Sequence, residues 1–207
     1  VDGSLQQLLD TAQVDAVVLS TDDERIYEYA MAKGCLDVGL RPDLLANDTA
    51  SKWSVWQHSL SVSEKLVGEC DIFLDLDATS PLRLLSDIAG AIELFKLEKP
   101  DMVMSCCEAR KNPYFNLVEP DDLGRLRVSK PLPFDVVARQ MAPIVYEHVA
   151  SIYVIDPRYL KKATSIYEGC VIPYLMSEER CLDIDSPWDF KLVELILKLT
   201  NEPNQND

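Results

Sequence analysis

Two aspartates near the C-terminal end of the chain have a spacing that suits metal binding. Asp183 and Asp185 flank Ile184 in an apolar stretch that we interpret as a β-strand over 181–185. Alternate residues of a strand share a face and lie roughly 6.5–7 Å apart along it. Two such carboxylates, with Ile184 turned into the core, form a hard-oxygen site suited to Mg²⁺ beside phosphates. The alternative is that both acids simply precede the next helix, whose dipole Asp189 would favour.

A second aspartate pair with the same spacing, Asp75 and Asp77, follows the apolar residues 72–74. This pair could bind a metal, either on its own or as the D-x-D motif of a glycosyltransferase. Thr79 and Ser80 come next and offer hydroxyl groups, and their backbone amides precede a predicted helix. Such a position can hold an anion or a ribose. Residues 75–83 therefore form a candidate ligand-binding turn.

A few other polar residues are candidates for recognising an anionic ligand. Arg41 lies in an extended turn, and Arg139 is followed by Gln140 in a proline-containing region. The planar guanidinium suits phosphate or carboxylate groups, and Arg139 with Gln140 could hold a carboxylate and a hydroxyl. A solvated surface position is the commoner role for a lone arginine. His58 and His148 have no catalytic partner nearby in sequence, so we interpret both as structural.

Alternating apolar strands and amphipathic helices are expected to position these residues. Short apolar runs predict strands at 16–19, 72–74, 102–105, 152–155 and 181–185. Helical spacing and capping residues predict helices at 5–12, 21–33, 51–67 and 85–99, another near Tyr159, and one from 186 onward; Thr21 is the predicted cap of the second. This order indicates an α/β fold with a largely parallel sheet. Ligands bind such sheets beyond the carboxyl ends of strands, which places 20–23, 75–83 and 183–189 at the candidate site.

Two further segments complete the predicted fold. Region 112–149 has little helical periodicity and several prolines, so we predict a hairpin-rich excursion from the sheet. At the other segment, Ser186 and Pro187 favour the start of a C-terminal helix. The predicted packed face of that helix consists of Trp188, Leu192, Leu195, Ile196 and Leu199.

Composition limits the class of protein. The chain has 207 residues, 47% of them hydrophobic, which is enough for one domain over 1–207 with a proper core. A net charge of −15 argues against nucleic-acid binding, which needs a basic face. No apolar run approaches the roughly 18 residues of a membrane span. Six cysteines without a C-x-x-C pair, together with two histidines, argue against zinc. We expect a cytoplasmic protein with reduced cysteines and no membrane or nucleic-acid partner.

The order of these segments resembles that of the acylneuraminate cytidylyltransferase family, from about residue 14 to the C-terminus. The specific pieces are L-D-A-T-S-P-L-R at 76–83 and D-I-D at 183–185. Shorter pieces agree in register: L-S-T-D-D-E at 19–24, R-P at 41–42, E-A-R-K-N-P-Y-F-N at 108–116, R-Q at 139–140 and A-S-I-Y-V at 150–154. Asp77 stands where many sialic acid enzymes carry glutamine, which looks closer to the legionaminic or pseudaminic branch.

The resemblance implies a three-layer αβα sandwich with a mostly parallel mixed sheet, similar to nucleotide-diphospho-sugar transferases. It implies that CTP and a nine-carbon 2-keto sugar acid (a nonulosonic acid) react to give a CMP-sugar and pyrophosphate. By family position, Asp183 and Asp185 would hold Mg²⁺ and Arg41 would contact the nucleotide. The sugar acid would be held by Arg139 and Gln140. The remaining expected substrate-binding residues are Asp77, Thr79, Ser80 and Tyr153. Family members are usually homodimers, in which 112–149 would be a dimerisation and substrate-covering excursion.

Two departures from the family pattern accompany this resemblance. The family begins with a strand and a glycine-rich basic loop that cradles the triphosphate, whereas Gly3 is the only early glycine here. We therefore expect the printed chain to be part of a longer protein. Val149 stands where the family places an asparagine that reaches the sugar. The alternatives are a metal-dependent glycosyltransferase that uses Asp75 and Asp77, and a non-catalytic nucleotide-binding relative.

Overall fold

The computed structural model describes residues 2–47 and 49–201, with the backbone alone at 200 and 201. The helices and strands follow one another in an α/β order. In chain order they are α1 (Asp2–Asp10), α2 (Glu24–Ala32), α3 (Lys52–Val67), β1 (Phe73–Leu76), α4 (Leu85–Glu98), β2 (Met102–Glu108), β3 (Val118–Pro120), β4 (Leu126–Val128), β5 (Tyr146–Ile155), α5 (Pro157–Lys162), β6 (Val171–Leu175) and α6 (Pro187–Asn201).

A mixed four-stranded sheet with the order β1-β5-β2-β6 forms the centre of the fold. β2 and β6 pair in parallel, while β5 runs antiparallel to both of its neighbours. Three of the four strands therefore point the same way, and their carboxyl ends meet at one edge. This arrangement confirms the predicted mixed sheet, in which most strands share a direction although only the β2–β6 pairing is parallel, and it places the turns after β1, β2 and β6 together.

Helices cover both faces of the sheet. Alternate residues of β2 belong to different clusters: Met102, Met104 and Cys106 pack with α3 and α5 on one face. Val103 packs with α4 on the other face. Because successive side chains of a strand point to opposite faces, one buried strand joins both cores. The three layers confirm the αβα sandwich.

Capping residues determine where two of the helices begin. Ser51, at which the third helix was predicted to begin, caps α3 by accepting a hydrogen bond from the Ser54 N–H at 3.1 Å. Thr21 was predicted to cap α2, and this is wrong. Asp23 is the cap, because its carboxylate accepts from the N–H groups of Arg25 and Ile26. Thr21 instead accepts from the Asp23 N–H and stabilises the turn before the helix.

The strand predictions were partly wrong. The run 16–19 forms only an isolated parallel bridge between Val18 and Leu36. Residues 181–185 form an irregular segment, so Asp183 and Asp185 do not share a strand face. β6 was missed because Pro173 and the polar flanks of 171–175 hide its pattern. A strand tolerates this proline because β6 is an edge strand of the sheet.

Region 112–149 contains the small hairpin β3–β4, which forms a sheet of its own. Asn112 connects the two ends of this excursion through its side chain. Its Nδ2 atom donates to the Pro143 carbonyl at 2.9 Å, and its Oδ1 atom accepts from the Tyr114 N–H. Residues 146–149 belong to the long strand β5, so the excursion returns to the main sheet before its predicted end.

The predicted packed face of α6 is wrong in part. Trp188, Leu195 and Leu199 are more than half exposed, whereas Val193 is buried at 3% exposure. Helical periodicity alone did not identify the buried side because apolar residues surround most of the helix. Across the described residues, none of the helices has both the length and the apolar character needed to cross a bilayer.

The ion pair between Asp87 and Arg180 connects α4 to the turn that leads into the aspartate segment 183–185. Asp87 is almost fully buried and accepts two hydrogen bonds of 3.0 Å from Arg180 and one of 2.8 Å from the Leu84 N–H. Asp87→Ala should lower the free energy of unfolding by about 3 kcal/mol, because it leaves the arginine and the amide unpaired. Urea titration measures this change.

The matched control is Glu194→Ala, which breaks the exposed pair with Lys198 on α6. That change should cost less than about 0.5 kcal/mol. Equal losses in the two variants would contradict the assignment of Asp87 as a structural connection.

Candidate active site

A cleft of about 520 Å³ lies between β1 and the extended segment that contains Val18 and Ser20. Helix α1 and the start of α3 border the same cleft. Its polar lining combines hydroxyl, amide, cationic and carboxylate groups: Ser4, Ser20, Arg41, Asn47, Lys52, Asp75 and Asp77. Because it lies beside the carboxyl end of β1, the cleft is where an α/β sheet binds its ligands.

Lys52 lies between Asp75 of β1 and Asp77, which directly follows that strand. Its ammonium group hydrogen-bonds to Asp77 and lies 3.4 Å from Asp75 Oδ2. The same nitrogen lies 4.3 Å from the ring centroid of Tyr153 and 5.3 Å from that of Trp56. Burial would lower the pKa of Lys52, but Asp75, Tyr153 and Asp77 together raise it. Lys52 is therefore a charged group held by two carboxylates and two aromatic faces.

Of the carboxylates of Asp75 and Asp77, that of Asp75 has the less favourable environment for a negative charge. Burial raises the pKa of Asp75, and Asp77 adds to this effect while Lys52 opposes it. Its Oδ2 atom has no hydrogen-bond partner among the described residues, although it is within ion-pair distance of Lys52. An ammonium group already lies against this D-x-D pair, which disfavours a metal between the two carboxylates.

Arg83 is a second buried cation beneath the acidic cluster. It is only 1% exposed. It donates to the Gln7 side chain at 2.9 Å, to the Ser151 carbonyl at 3.2 Å, and to the Ser4 hydroxyl. Burial lowers the pKa of Arg83 to about 10, while Asp77 and other nearby aspartates counteract the effect. Arg83 thus joins α1, β5 and the turn after β1 through neutral partners.

A bulge in β5 makes this arrangement possible. The pairing of β2 with β5 shifts between Met104 and Cys106. There the Ser105 hydroxyl donates to the Val149 carbonyl at 2.7 Å and accepts from the Ile152 N–H at 2.8 Å. The Ser151 carbonyl accepts from the Asp77 N–H at 3.1 Å. Val149, where the family pattern has asparagine, is 4% exposed and packs in the core.

Tyr153, a predicted substrate-binding residue, is buried against the Lys52 cluster. Its hydroxyl shares a 3.0 Å hydrogen bond with His148 Nε2. Burial raises the pKa of Tyr153 to about 12, although Lys52 opposes this rise. Burial also lowers the pKa of His148, and the charge on Lys52 adds to that effect. The lowered pKa favours the neutral imidazole, and the hydrogen bond to Tyr153 agrees with the structural interpretation of His148.

The aspartate segment 183–185 lies against the turn after β1. The Ile184 N–H donates to the Thr79 carbonyl at 2.9 Å. Asp183 Oδ1 is buried without a hydrogen-bond partner in the described part of the chain, whereas Asp185 is exposed. Burial raises the pKa of Asp183; Thr79 lowers it by hydrogen bonding, and Asp77 and Asp185 raise it further. The turn after β1 and the segment 183–185, which are distant in sequence, therefore place their aspartates close together.

Thr79 and Ser80 lie in a turn, and α4 begins only at Leu85, so their amides do not form its N-terminus as predicted. Four residues, 81–84, separate Ser80 from the helix because the tight turn at 81–82 intervenes. Thr79 is exposed and faces Asp183, while the Ser80 hydroxyl is buried without a hydrogen-bond partner among the described residues.

Arg41 lies on the side of the cleft opposite β1. Its side chain donates to the Ser20 hydroxyl at 3.0 Å and to the Ser20 carbonyl, and its N–H donates to the Thr21 carbonyl at 2.7 Å. These bonds orient the guanidinium before any ligand arrives. Asp189, by contrast, lies in the first turn of α6, where a carboxylate favours the helix dipole as first expected, and it accepts from the N–H and hydroxyl of Ser186.

Arg139 and Gln140 lie in another place. They belong to a short 3₁₀ turn of the excursion, and Arg139 donates to the Arg110 carbonyl at 2.6 Å. Arg139 lines a second pocket of about 570 Å³ beyond the ends of β2 and β6. The other lining residues of this pocket are Glu108, Ala109, Arg110, Lys111, Met176 and Glu178. Arg139 therefore does not line the cleft that contains Asp77 in the same chain.

Sequence reasoning missed Lys52 and Arg83 as site residues. Lys52 carried a usable signal, because a cation in the first turn of a helix is unfavourable to the dipole and needs a reason. Arg83 was interpreted only as part of a sequence motif.

The six cysteines are all free, and burial raises the pKa of Cys106 to about 11. Among the described residues, no set of three or more His, Cys, Asp or Glu side chains is arranged to hold a metal by itself.

Curated proteins with similar sequences point to one family. The chain is 37% identical over 186 residues to the post-translational flagellin modification protein B of Campylobacter coli, covering 89% of this chain and 78% of that protein. It is 36% identical, with the same coverage, to the CMP-N,N'-diacetyllegionaminic acid synthase of Campylobacter jejuni. The N-acylneuraminate cytidylyltransferase of Escherichia coli is 28% identical over 96% of this chain and 46% of its own length. No protein-family model matches the chain.

Solved structures agree at the level of the fold. A CMP:2-keto-3-deoxy-manno-octonic acid synthetase complexed with CTP superposes with a TM-score of 0.65 at 16% identity, covering 97% of this chain and 88% of that one. A likeness at this identity shows the fold alone, and it supports the αβα assignment made from the two core clusters.

The buried carboxylate of Asp183 predicts a specific pH dependence of stability. Its folded pKa is raised above the ordinary 3.8, so its contribution to stability is complete below that pH and is lost as the pH rises through the folded pKa. Asp183→Asn cannot ionise and should therefore match or exceed the wild type in free energy of unfolding at pH 7. Its advantage should grow from about pH 4 upward. Urea titrations across that range measure the difference.

Asp189→Asn is the control with the opposite sign. Hydrogen bonds from Ser186 hold the pKa of Asp189 below 3.8, so its contribution to stability is present above that pH. The Asp189 variant should lose stability relative to the wild type over the same range. A loss in the Asp183 variant that also grows with pH would contradict the proposed strain at Asp183.

Proposed function

Because the chain belongs to the acylneuraminate cytidylyltransferase family, we propose that it transfers CMP from CTP to a nine-carbon 2-keto sugar acid. The observation that carries the proposal is the identity of 36% over most of a legionaminic acid synthase, together with a cleft that is lined by the predicted residues Ser20 and Arg41 on one side and by 75–78 on the other. The sugar acid is of the sialic, legionaminic or pseudaminic type. The names of the most similar relatives favour the legionaminic type.

The reaction is a substitution at phosphorus. The anomeric hydroxyl oxygen forms a bond to the α-phosphorus of CTP, the bond to the bridging oxygen breaks, and pyrophosphate leaves. The hydroxyl proton is released to a base or to solvent. Since little covalent chemistry falls to the protein, catalysis rests on positioning and on stabilising charge. The chain's residues therefore act mainly by holding the two substrates in line.

Arg41 is the proposed nucleotide contact. Its guanidinium is already oriented by Ser20 on the wall of the cleft opposite β1. A pre-oriented planar fork loses little entropy when it binds phosphate oxygens. Asp77 lines the other wall and Thr79 is exposed beside it, so their carboxylate and hydroxyl groups are the proposed contacts to a polyhydroxylated sugar. Ser80 and Tyr153 are buried behind them, and we propose that they support this side of the substrate site.

Asp183 and Asp185 are the proposed ligands of Mg²⁺. The site fits a divalent cation, because Asp183 has a buried oxygen without a partner among the described residues and its pKa is raised by burial and by neighbouring carboxylates. Mg²⁺ usually keeps several waters and needs only one or two protein carboxylates beside phosphates. When bound, the ion would supply charge neutralisation for the triphosphate and the leaving pyrophosphate.

The glycosyltransferase alternative loses its main support. That reading required Asp75 and Asp77 to bind a metal, whereas Lys52 pairs with both carboxylates. A non-catalytic nucleotide-binding protein would have the same fold and cleft but would form no product. Measuring turnover therefore distinguishes this alternative from the proposed enzyme.

We also propose a cytoplasmic homodimer that contacts neither membranes nor nucleic acids. Free thiols suit a reducing compartment, and a net charge of −15 opposes binding to phosphate backbones. The excursion exposes large apolar side chains, among them Phe134, Val137 and Ile144. Clustered exposed apolar residues mark protein interfaces. In such a dimer Arg139 and Gln140 would contribute to the sugar site from the excursion.

The activity test uses CTP, Mg²⁺ and a panel of sialic, legionaminic and pseudaminic acids. Pyrophosphate release that requires both CTP and a sugar acid is the expected result. Asp183→Asn should lower kcat at least about 100-fold, because charge stabilisation of about 3 kcal/mol is lost. Near-normal turnover in that variant rejects the metal assignment. Consumption of a UDP-sugar instead, or nucleotide-dependent thermal shifts without turnover, rejects the reaction.

The dimer test uses the double variant Val137→Glu/Ile144→Glu, which places charges on two side chains that are 76% and 75% exposed. Burying two unpaired carboxylates should cost at least about 3 kcal/mol. The dimer dissociation constant should therefore rise by roughly 100-fold in sedimentation experiments. Leu97→Glu, on α4 and 75% exposed, is the control. An unchanged constant in the double variant would exclude this surface.

A further inference from the structure

Arg83 is almost fully buried beneath the acidic cluster, yet its hydrogen bonds within the described residues go to neutral groups. Its acceptors are the side chains of Gln7 and Ser4 and the carbonyl of Ser151. A guanidinium carries five N–H donors in a rigid planar fork, so it can connect several acceptors at fixed angles. Nearby aspartates stabilise the charge of Arg83, but these neutral oxygens determine where the group lies.

Two of the three acceptors also hold the backbone of Asp77. The Ser151 carbonyl accepts from Arg83 at 3.2 Å and from the Asp77 N–H at 3.1 Å. The Ser4 hydroxyl accepts from Arg83 and donates to the Asp77 carbonyl at 3.2 Å. Arg83 therefore reaches both backbone polar groups of Asp77, each through one intermediate residue.

Asp77 depends on these bonds because it lies just beyond the end of β1. The regular pairing of β1 with β5 ends where Leu76 lies opposite Ile152. Past that pair, the Asp77 backbone is held by its hydrogen bonds to Ser151 and Ser4. Any movement of those two partners would therefore move Asp77 as well.

The carboxylate of Asp77 is the group that this support orients. Asp77 lines the cleft, and Lys52 donates to one of its oxygens, Oδ2. The second oxygen, Oδ1, is left for a donor of the ligand. An ionised carboxylate only accepts hydrogen bonds, so its ligand partner must be a hydroxyl or an N–H group. Such a bond weakens steeply when its distance or angle departs from the ordinary range.

We propose that Arg83 is a positioning residue of the sugar site, which holds the Asp77 backbone through Ser4 and Ser151 and so places the Asp77 carboxylate against a sugar hydroxyl or N–H. This inference rests on the proposed function and deepens it. Arg83 is only 1% exposed and does not touch the substrate itself. Its effect falls on the sugar acid and spares CTP, whose proposed contact Arg41 lies across the cleft.

The test measures kcat and the KM of each substrate in two variants. Arg83→Lys keeps the charge, but a single ammonium cannot span Ser4 and Ser151, so the KM for the sugar acid should rise about 10- to 100-fold. Ser4→Ala removes one connection while Arg83 remains, and it should raise the same KM about 3- to 10-fold, the effect of one hydrogen bond. The KM for CTP should not change in either variant.

Gln7→Met is the matched control on α1. It removes two hydrogen bonds with Arg83, one of 2.9 Å from the guanidinium and one of 2.8 Å to the Arg83 carbonyl. Neither bond leads to Asp77. The free energy of unfolding should therefore fall at least as far as in Ser4→Ala, whereas the KM for the sugar acid should equal that of the wild type. Ser4→Ala also keeps the test available if Arg83→Lys does not fold.

A double-mutant cycle with Asp77→Ala distinguishes positioning from a general loss of stability. Because Arg83 acts through Asp77, neither Arg83→Lys nor Ser4→Ala should raise the KM for the sugar acid further once the Asp77 carboxylate is gone. Residues that act through one contact are not additive, whereas independent sites are. Additive effects in the Asp77→Ala background would overturn the inference.

Other outcomes overturn it as well. An unchanged KM for the sugar acid in Ser4→Ala and in any folded Arg83→Lys protein, an equal rise in Gln7→Met, or a loss that falls on CTP would each contradict a role through Asp77. Failure of the wild type to release pyrophosphate with any sugar acid would defeat the proposed function and this inference together. Normal wild-type turnover with an unchanged KM in the variants would defeat only the role of Arg83.

Discussion

The candidate site depends on the balance between two partly or fully buried cations and the aspartates around the end of β1. Lys52 pairs with Asp75 and Asp77 from the cleft side, and Arg83 supports the same cluster from within the protein. Either set of charges without the other would destabilise the folded protein, because an isolated buried charge raises the free energy of the folded state by several kcal/mol. Their mutual presence allows a strand end with three nearby carboxylates to remain folded.

This balance also requires a distorted strand. Arg83 has no carboxylate within ion-pair distance among the described residues, so it relies on neutral oxygens such as the Ser151 carbonyl. That carbonyl is available because β5 bulges around Ser105 and leaves its regular ladder. Bulges commonly occur beside active sites because they redirect backbone groups. The backbone of β5 therefore serves both as a core strand and as part of the site.

Much of the layered fold was predictable from local patterns. Helices α3 and α4 carry clear caps or stop signals and strong apolar spacing, and both lie within one or two residues of their predicted bounds. The predicted meeting of 75–83 with 183–185 also holds, although it is made by a hydrogen bond between irregular segments. Periodicity failed at 16–19 and 181–185, since an apolar run does not specify whether a neighbouring strand pairs with it.

Taken alone, the sequence determined the α/β class, the order of the helices and the two aspartate pairs, since these follow from residue type and spacing along the chain. Tertiary structure alone decided which charges meet. It set Lys52 against Asp75 and Asp77 and kept Arg139 in a separate pocket. The physical reason is that electrostatic partners are determined by distance in space. Asp75 and Asp77 are 23 and 25 positions from Lys52, and they become its neighbours only after the sheet and its covering helices have formed.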